Sequence, residues 1–211
     1  MIHNKSWIGL FFTALIAFSG CGEQKKDQRL PILGRHDIQN GDTTYHTVPD
    51  FNLVDQKGRK VSKQSMKGKI FLVDDFFTSC PTICPKVKQQ ELRIYDRFRE
   101  DSILHFLSIS IDHRRDSVPV LLDYANKLGI DNDRWHLSTG DKDHIYDIVE
   151  GFFLIALEAE DAPGGFDHSG ALILVDDQFR IRAVCSDGTD KETVDAFMPK
   201  IQLLIDEVEG S

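Results

Sequence analysis

The sequence predicts an α/β fold: a mixed, partly parallel sheet covered by helices on both faces, with an extra hairpin at its N-terminal end. Two observations carry this prediction. Short apolar runs of strand length at Lys69–Phe77, Ile103–Ile111 and Ala171–Val175 alternate with segments whose apolar residues recur at helical spacing. Strands interleaved with helices in this way require crossover connections and hence parallel pairing, with helices on the sheet faces.

Each element follows in order. Phe51 and Leu53 alternate with polar residues, Gln56-Lys57-Gly58 supplies a turn and Val61 resumes the pattern, which predicts a β-hairpin. Lys69–Phe77 reads as a central strand. From Pro85 to about Glu100, Val87, Glu91, Ile94, Tyr95 and Phe98 recur at mostly helical spacing. Ile103–Ile111 is a second core strand; Asp116–Leu128 and Asp141–Phe153 are helices, the latter capped by Asp141. Ala171–Val175 and Phe179–Cys185 are strands joined by the turn Asp176-Asp177-Gln178, and Lys191–Glu207 closes the chain as an amphipathic helix. The resulting order, β-α-β followed by β-β-α, is the thioredoxin plan, here with an added hairpin and a helical insertion.

The 211 residues divide into three parts: 1–21, 22–47 and 48–211. Lys5, the apolar run Trp7–Phe18 and Ser19-Gly20-Cys21 have the layout of a secretory signal. A run of roughly a dozen residues is too short for a spanning helix, which needs about 20. Phe18-Ser19-Gly20-Cys21 resembles a bacterial lipobox, which implies an acylated Cys21 as lipid anchor, although Phe18 stands where an aliphatic residue is usual. Residues 22–47 are polar and aperiodic and read as a flexible tether. The expected location is the bacterial cell envelope, with the folded domain on the periplasmic or extracytoplasmic side. A net charge of -9, from 25 basic and 34 acidic residues, argues against nucleic acid as a partner, and against a membrane attachment by charge alone.

Of four cysteines, setting aside Cys21 leaves the close pair Cys80 and Cys84 and the singleton Cys185. This is a redox or metal arrangement and not a disulfide framework. The pair lies in Phe76-Phe77-Thr78-Ser79-Cys80-Pro81-Thr82-Ile83-Cys84-Pro85, directly after the first core strand. Pro85 disfavours a helical conformation at Cys84, so the helix is expected to begin at Pro85 with Cys84 as its cap. On a loop the two thiols can converge into a disulfide or spread around one metal ion. The positive end of the helix favours thiolate, the species that attacks disulfides and binds soft metals. Cys185 reads as a small core residue.

The string Phe77-Thr78-Ser79-Cys80-Pro81-Thr82-Ile83-Cys84-Pro85-Lys86-Val87 resembles the copper-site loop of the Sco/SenC family, exported thioredoxin-like proteins that help to assemble the copper centre of cytochrome c oxidase. Phe51–Asp55, Ser110-Ile111-Asp112 with Arg115-Asp116, Asp167-His168-Ser169 and Asp187-Gly188-Thr189 resemble further family motifs in the same order. The resemblance implies Cys80, Cys84 and His168 as ligands of one copper ion, Cu(I) or Cu(II). It also implies the copper-bearing oxidase subunit as acceptor, and a thiol reductase or an upstream copper donor as further partners. Two thiolates and an imidazole suit copper on chemical grounds as well. His113 and His144 carry no partner motif and read as solvated. Thioredoxins carry a buried carboxylate six residues before the first cysteine, and that resemblance gives Asp74 a proton-carrying role; the neighbouring Asp75 has no evident purpose.

The same residues serve two functions: copper delivery, or reduction of the oxidase's copper-site cysteines as a thiol-disulfide oxidoreductase. A peroxiredoxin-like peroxidase is a remote alternative, because Phe77 stands where that family places Thr or Ser before its reactive cysteine. A static zinc site would need a fourth ligand.

Overall fold

A computed structural model of the chain describes residues 29–159 and 161–210. The signal-like segment with Cys21 and the first part of the expected tether lie outside these residues. Among the described residues, no helix is long and apolar enough to cross a membrane.

In chain order the elements are β1 (His36–Gln39), β2 (Asp42–Tyr45), β3 (Asn52–Asp55), β4 (Lys60–Ser62), the short α1 (Lys63–Met66), β5 (Ile70–Phe76), α2 (Cys84–Arg97), β6 (Leu104–Ser110), α3 (Val118–Leu128), β7 (Trp135–Thr139), α4 (Lys142–Gly151), β8 (Ala156–Glu158), β9 (Phe166–His168), β10 (Leu172–Val175), β11 (Ile181–Cys185) and α5 (Lys191–Glu209). Seven strands form the main sheet in the order β11-β10-β5-β6-β7-β3-β4. The β5–β6 and β6–β7 pairs are parallel, and the outer pairs are antiparallel. The fold is the thioredoxin-like α/β architecture.

The central strands are buried along their whole length, which is why β5 and β6 read as continuous apolar runs and not as alternating ones. The expected hairpin forms as β3–β4, with Leu53 opposite Val61. Its turn is held by the Asp55 carboxylate, which accepts from the Lys57 and Arg59 N–H groups at 2.9 Å each. Asp141 caps α4 as expected, accepting from Asp143 and His144 N–H.

Three expectations are corrected. The tether reading fails over residues 29–47: β1 and β2 form a hairpin in which Asn40 and Gly41 both take positive φ (54° and 90°), the geometry of a type I′ turn. Before it, Leu30 and Leu33 pack against the core, and the Leu33 N–H donates to the Ile181 carbonyl at 2.8 Å. A parallel strand, β7, stands between the two middle helices, where only a connection was expected; Trp135 and Leu137 are its buried alternate residues. Finally, His144 is not simply solvated, since its Nε2 accepts from the Asn52 N–H at 3.0 Å.

Candidate metal centre

Strand β5 delivers the chain to the corner 77–83, and α2 leaves it. Cys84 is the first helical residue, with Ile83 at the N-cap and Pro85 one step inside, so the helix begins one residue earlier than expected. Ile83 offers no side-chain cap. Its place is taken by sulfur: the Cys84 N–H donates to Cys80 Sγ at 3.5 Å. Cys80 therefore sits at the positive end of the helix, as a thiolate acceptor would.

His168 arrives from the far end of the domain. It ends β9, which pairs with β8 in a small two-stranded sheet, with His168 opposite Ala156. That hairpin lies against the cysteine corner through aromatic contacts: the Phe77 ring stands 5.0 Å from Phe166 and 5.6 Å, edge-on, from the His168 imidazole. The approach is close enough to require glycine at 164, where φ is +81° and a Cβ would come within 2.6 Å of Phe77.

His168 Nε2 thus lies 3.5 Å from Cys84 Sγ and 3.9 Å from Cys80 Sγ. The three ligand atoms all fall within 4.8 Å of one another. Among the described residues this is the one group of three or more His, Cys, Asp and Glu side chains with such spacing, so no fourth ligand closes a structural zinc tetrahedron. Cys80 and Cys84 are free thiols and buried.

The pair is electrostatically asymmetric. The Cys84 thiol hydrogen-bonds to the Cys80 sulfur and, against the effect of burial, pulls Cys80 down to about 3; the Cys84 N–H, His168 and Thr82 reinforce it. The same bond, together with burial, pushes Cys84 up. At neutral pH the metal-free corner therefore carries one thiolate on Cys80 and one proton on Cys84.

The two adjacent acids of β5 point to opposite faces, as strand periodicity demands. Asp75, and not Asp74, turns toward the site: its Oδ2 lies 3.4 Å from His168 Nδ1. Burial pushes the Asp75 carboxyl up, an effect that His168 offsets in part. Burial alone would pull the imidazole down, but Asp75, and then Cys80, hold it above its ordinary value. A carboxylate on the far nitrogen leaves Nε2 free to face the sulfurs, the arrangement by which outer groups orient a metal-binding histidine.

Asp74 is committed elsewhere, with its Oδ2 2.7 Å from the ammonium of Lys88. Lys88 also reaches Glu91 at 2.8 Å and Ser108 Oγ at 2.6 Å, all in the interior. The structure thus places Asp74 in an interior ion cluster with Lys88 and Glu91. The sequence reading missed Asp75 as the partner of His168, since two neighbouring acids give no sign of which one faces a site 93 residues on. Cys185 is a buried core residue, donating to the Asp187 carbonyl at 3.6 Å.

The family profile described as SCO1/SenC matches residues 39–202. The SCO1 protein homolog of Bacillus subtilis is 30% identical over 100 residues, which cover 47% of this chain and 52% of that protein. The chain thus matches about half the length of that relative. The crystal structure of Arabidopsis thaliana ScoI with copper bound superposes with a TM-score of 0.62 at 21% identity, covering 74% of this chain and 98% of that one. BsSco, described as a member of the Sco family of cytochrome c oxidase assembly proteins and as having a disulfide switch, superposes with a TM-score of 0.65 at 23% identity, covering 76% and 94%. With a profile match spanning most of the chain, this protein belongs to the SCO1/SenC family.

Proposed function

We propose that this protein is an exported copper carrier, held to the cell envelope by a lipid on Cys21, that delivers copper to, or prepares, the copper centre of cytochrome c oxidase. The observation that carries the reading is the meeting of Cys80, Cys84 and His168 within 4.8 Å. Two thiolates favour Cu(I), and the imidazole allows Cu(II) to be held as well. Three ligands from a corner and a hairpin leave copper fewer bonds to exchange than a closed four-ligand site would. The copper-bound Arabidopsis relative and the oxidase-assembly role given for BsSco support cargo and destination. The partners are the copper-bearing oxidase subunit, together with an upstream copper donor or a thiol reductase.

Titrating the reduced protein with copper tests this directly. We expect one ion per chain and, for Cu(II), a sulfur-to-copper charge-transfer band that is lost in Cys80→Ser, Cys84→Ser and His168→Ala. Unchanged copper affinity in Cys80→Ser would overturn the reading.

A second reading, thiol-disulfide exchange with the oxidase's cysteines, is favoured by one feature: a Cys80 thiolate beside a protonated Cys84 is an attacking group with a resolving partner. A reduction potential well above that of the acceptor's cysteines would send electrons the wrong way and exclude it.

A further inference from the structure

The loop between β6 and α3, residues 111–117, supplies no ligand, yet it touches both segments that do. On one side stands Asp116, fully buried, whose carboxylate accepts from the Thr78 N–H at 2.9 Å, Thr78 Oγ1 at 2.5 Å and Ser110 Oγ at 2.6 Å. Thr78 lies two residues before Cys80, so these bonds tie the entrance of the cysteine corner to the end of β6. On the other side, Arg115 Nη2 donates to the Gly164 carbonyl at 3.0 Å. Its Nε is paired with Asp112, and its guanidinium stands 5.9 Å from the Phe166 ring. Gly164 lies four residues before His168 and rests on Phe77. The cysteine corner and the histidine hairpin are thus both fastened to a third segment.

We propose that Asp116 and Arg115 form a two-armed clamp that sets the distance between the imidazole and the thiols, with Arg115 a positioning residue acting through His168. The inference deepens the copper reading and rests on it. The two arms differ in what they hold. Asp116 is buried, and its charge-assisted bonds belong to the fold of the corner itself. Arg115 is about half exposed (54%) and grips the backbone and an aromatic ring of the hairpin alone. Losing it leaves the thiols in place and frees the hairpin, and His168 with it, to drift. Cu(I), which two thiolates can hold, is then indifferent to the change, whereas Cu(II), which needs the imidazole, is not.

The test uses Arg115→Gln in the full-length reduced protein, alone and combined with His168→Ala. Affinity is read by competition with chelators for Cu(I) and for Cu(II), and the charge-transfer band is read by absorption. We expect Cu(II) affinity to fall about tenfold, the lower end of what outer-shell partners are worth, with the Cu(I) affinity unchanged. In the His168→Ala background, Arg115→Gln should change nothing further. The same penalty in that background, an equal loss for both oxidation states, or full retention of Cu(II) affinity overturns the clamp. If the unmutated protein binds no copper, the copper reading itself falls, whatever Arg115→Gln does; if it binds copper through all three ligands and Arg115→Gln matches it, the clamp alone falls.

Discussion

A carboxylate set behind a metal-facing imidazole fixes the ring and raises its basicity. Asp75 occupies that position, 3.4 Å from His168 Nδ1, and it is the reason His168 sits above its ordinary pKa in spite of burial. Asp75→Asn keeps the volume and removes the charge. The expected outcome is a Cu(II) affinity lower by about 10- to 100-fold, and a downward shift of the His168 titration in the metal-free protein, followed by NMR. The protons must also balance. Cu(II), held by all three groups, needs two thiolates and a neutral imidazole. Cys80, at about 3, has already given up its proton, and Cys84 has not. Loading above the pKa of His168 therefore releases about one proton, and a second appears as pH falls through that pKa, weakening binding there. Calorimetry in buffers of different ionisation enthalpy counts these protons; a release of two at alkaline pH would contradict the asymmetric pair. The meeting of Cys80, Cys84 and His168 was legible in the sequence, because prolines and an ordered set of motifs mark them. Asp75 was not, because its partner is distant in sequence and its adjacent acid is equally buried.

Strand β5 and helix α2 share a second piece of chemistry, removed from copper. Asp74 from the strand and Lys88 and Glu91 from the helix close an interior cluster with two potential negative charges against one positive. The Lys88 ammonium also lies 4.5 Å from the centre of the Phe76 ring. Burial, and then Asp74, push Glu91 well above the ordinary 4.5, so the folded protein keeps a proton that the unfolded chain releases. The sign follows: where the folded state binds more protons, stability falls as pH rises. The contribution is complete below the ordinary glutamate pKa and is lost progressively as pH climbs toward the raised one. Glu91→Gln should flatten this decline relative to the unmutated protein in denaturant unfolding between pH 5 and pH 8; an unchanged slope would remove Glu91 as the proton holder. Lys88→Met, which strands the Asp74 carboxylate beside the protonated Glu91, should cost about 3–5 kcal/mol. Among the elements, the long apolar strands and α2 were readable from periodicity. The five-residue β7 escaped because it follows a polar stretch, Asp131–Arg134. The β1–β2 hairpin escaped because all eight of its strand residues are exposed and leave no alternating pattern; its Asn40-Gly41 turn was the usable signal.

For the molecule as a whole, the weak point of an open sheet is its edge, where unpaired backbone groups invite association. Strand β11 forms one edge of the seven-stranded sheet, and the segments on either side of the first hairpin bond to it and to the turn before it. The Leu33 N–H bonds the Ile181 carbonyl, and the Val48 N–H bonds the Phe179 carbonyl at 2.9 Å. Arg182, only 3% exposed, turns this contact into an anchor. Its guanidinium donates to the carbonyls of Leu30 (2.5 Å) and Pro31 (3.2 Å) while pairing with Glu207 of α5 (2.8 Å) and Asp176 (3.1 Å). One buried cation thereby joins the N-terminal segment, the turn after β10 and the last helix. Deleting residues 1–34 removes two of its acceptors together with the packing of Leu30 and Leu33. Since a hydrogen bond to a charged group is worth about 1.5–3 kcal/mol, the truncated protein should be less stable by at least about 2 kcal/mol. Copper stoichiometry should stay at one, because Cys80, Cys84 and His168 arise from the 77–83 corner, α2 and β9, which the deletion leaves intact. Urea unfolding gives the first quantity and a copper titration the second. Equal stability in the truncated and full chains would mean that the segment lies on the edge without holding it, and a lost copper site would mean that the two ends of the domain are coupled through the core.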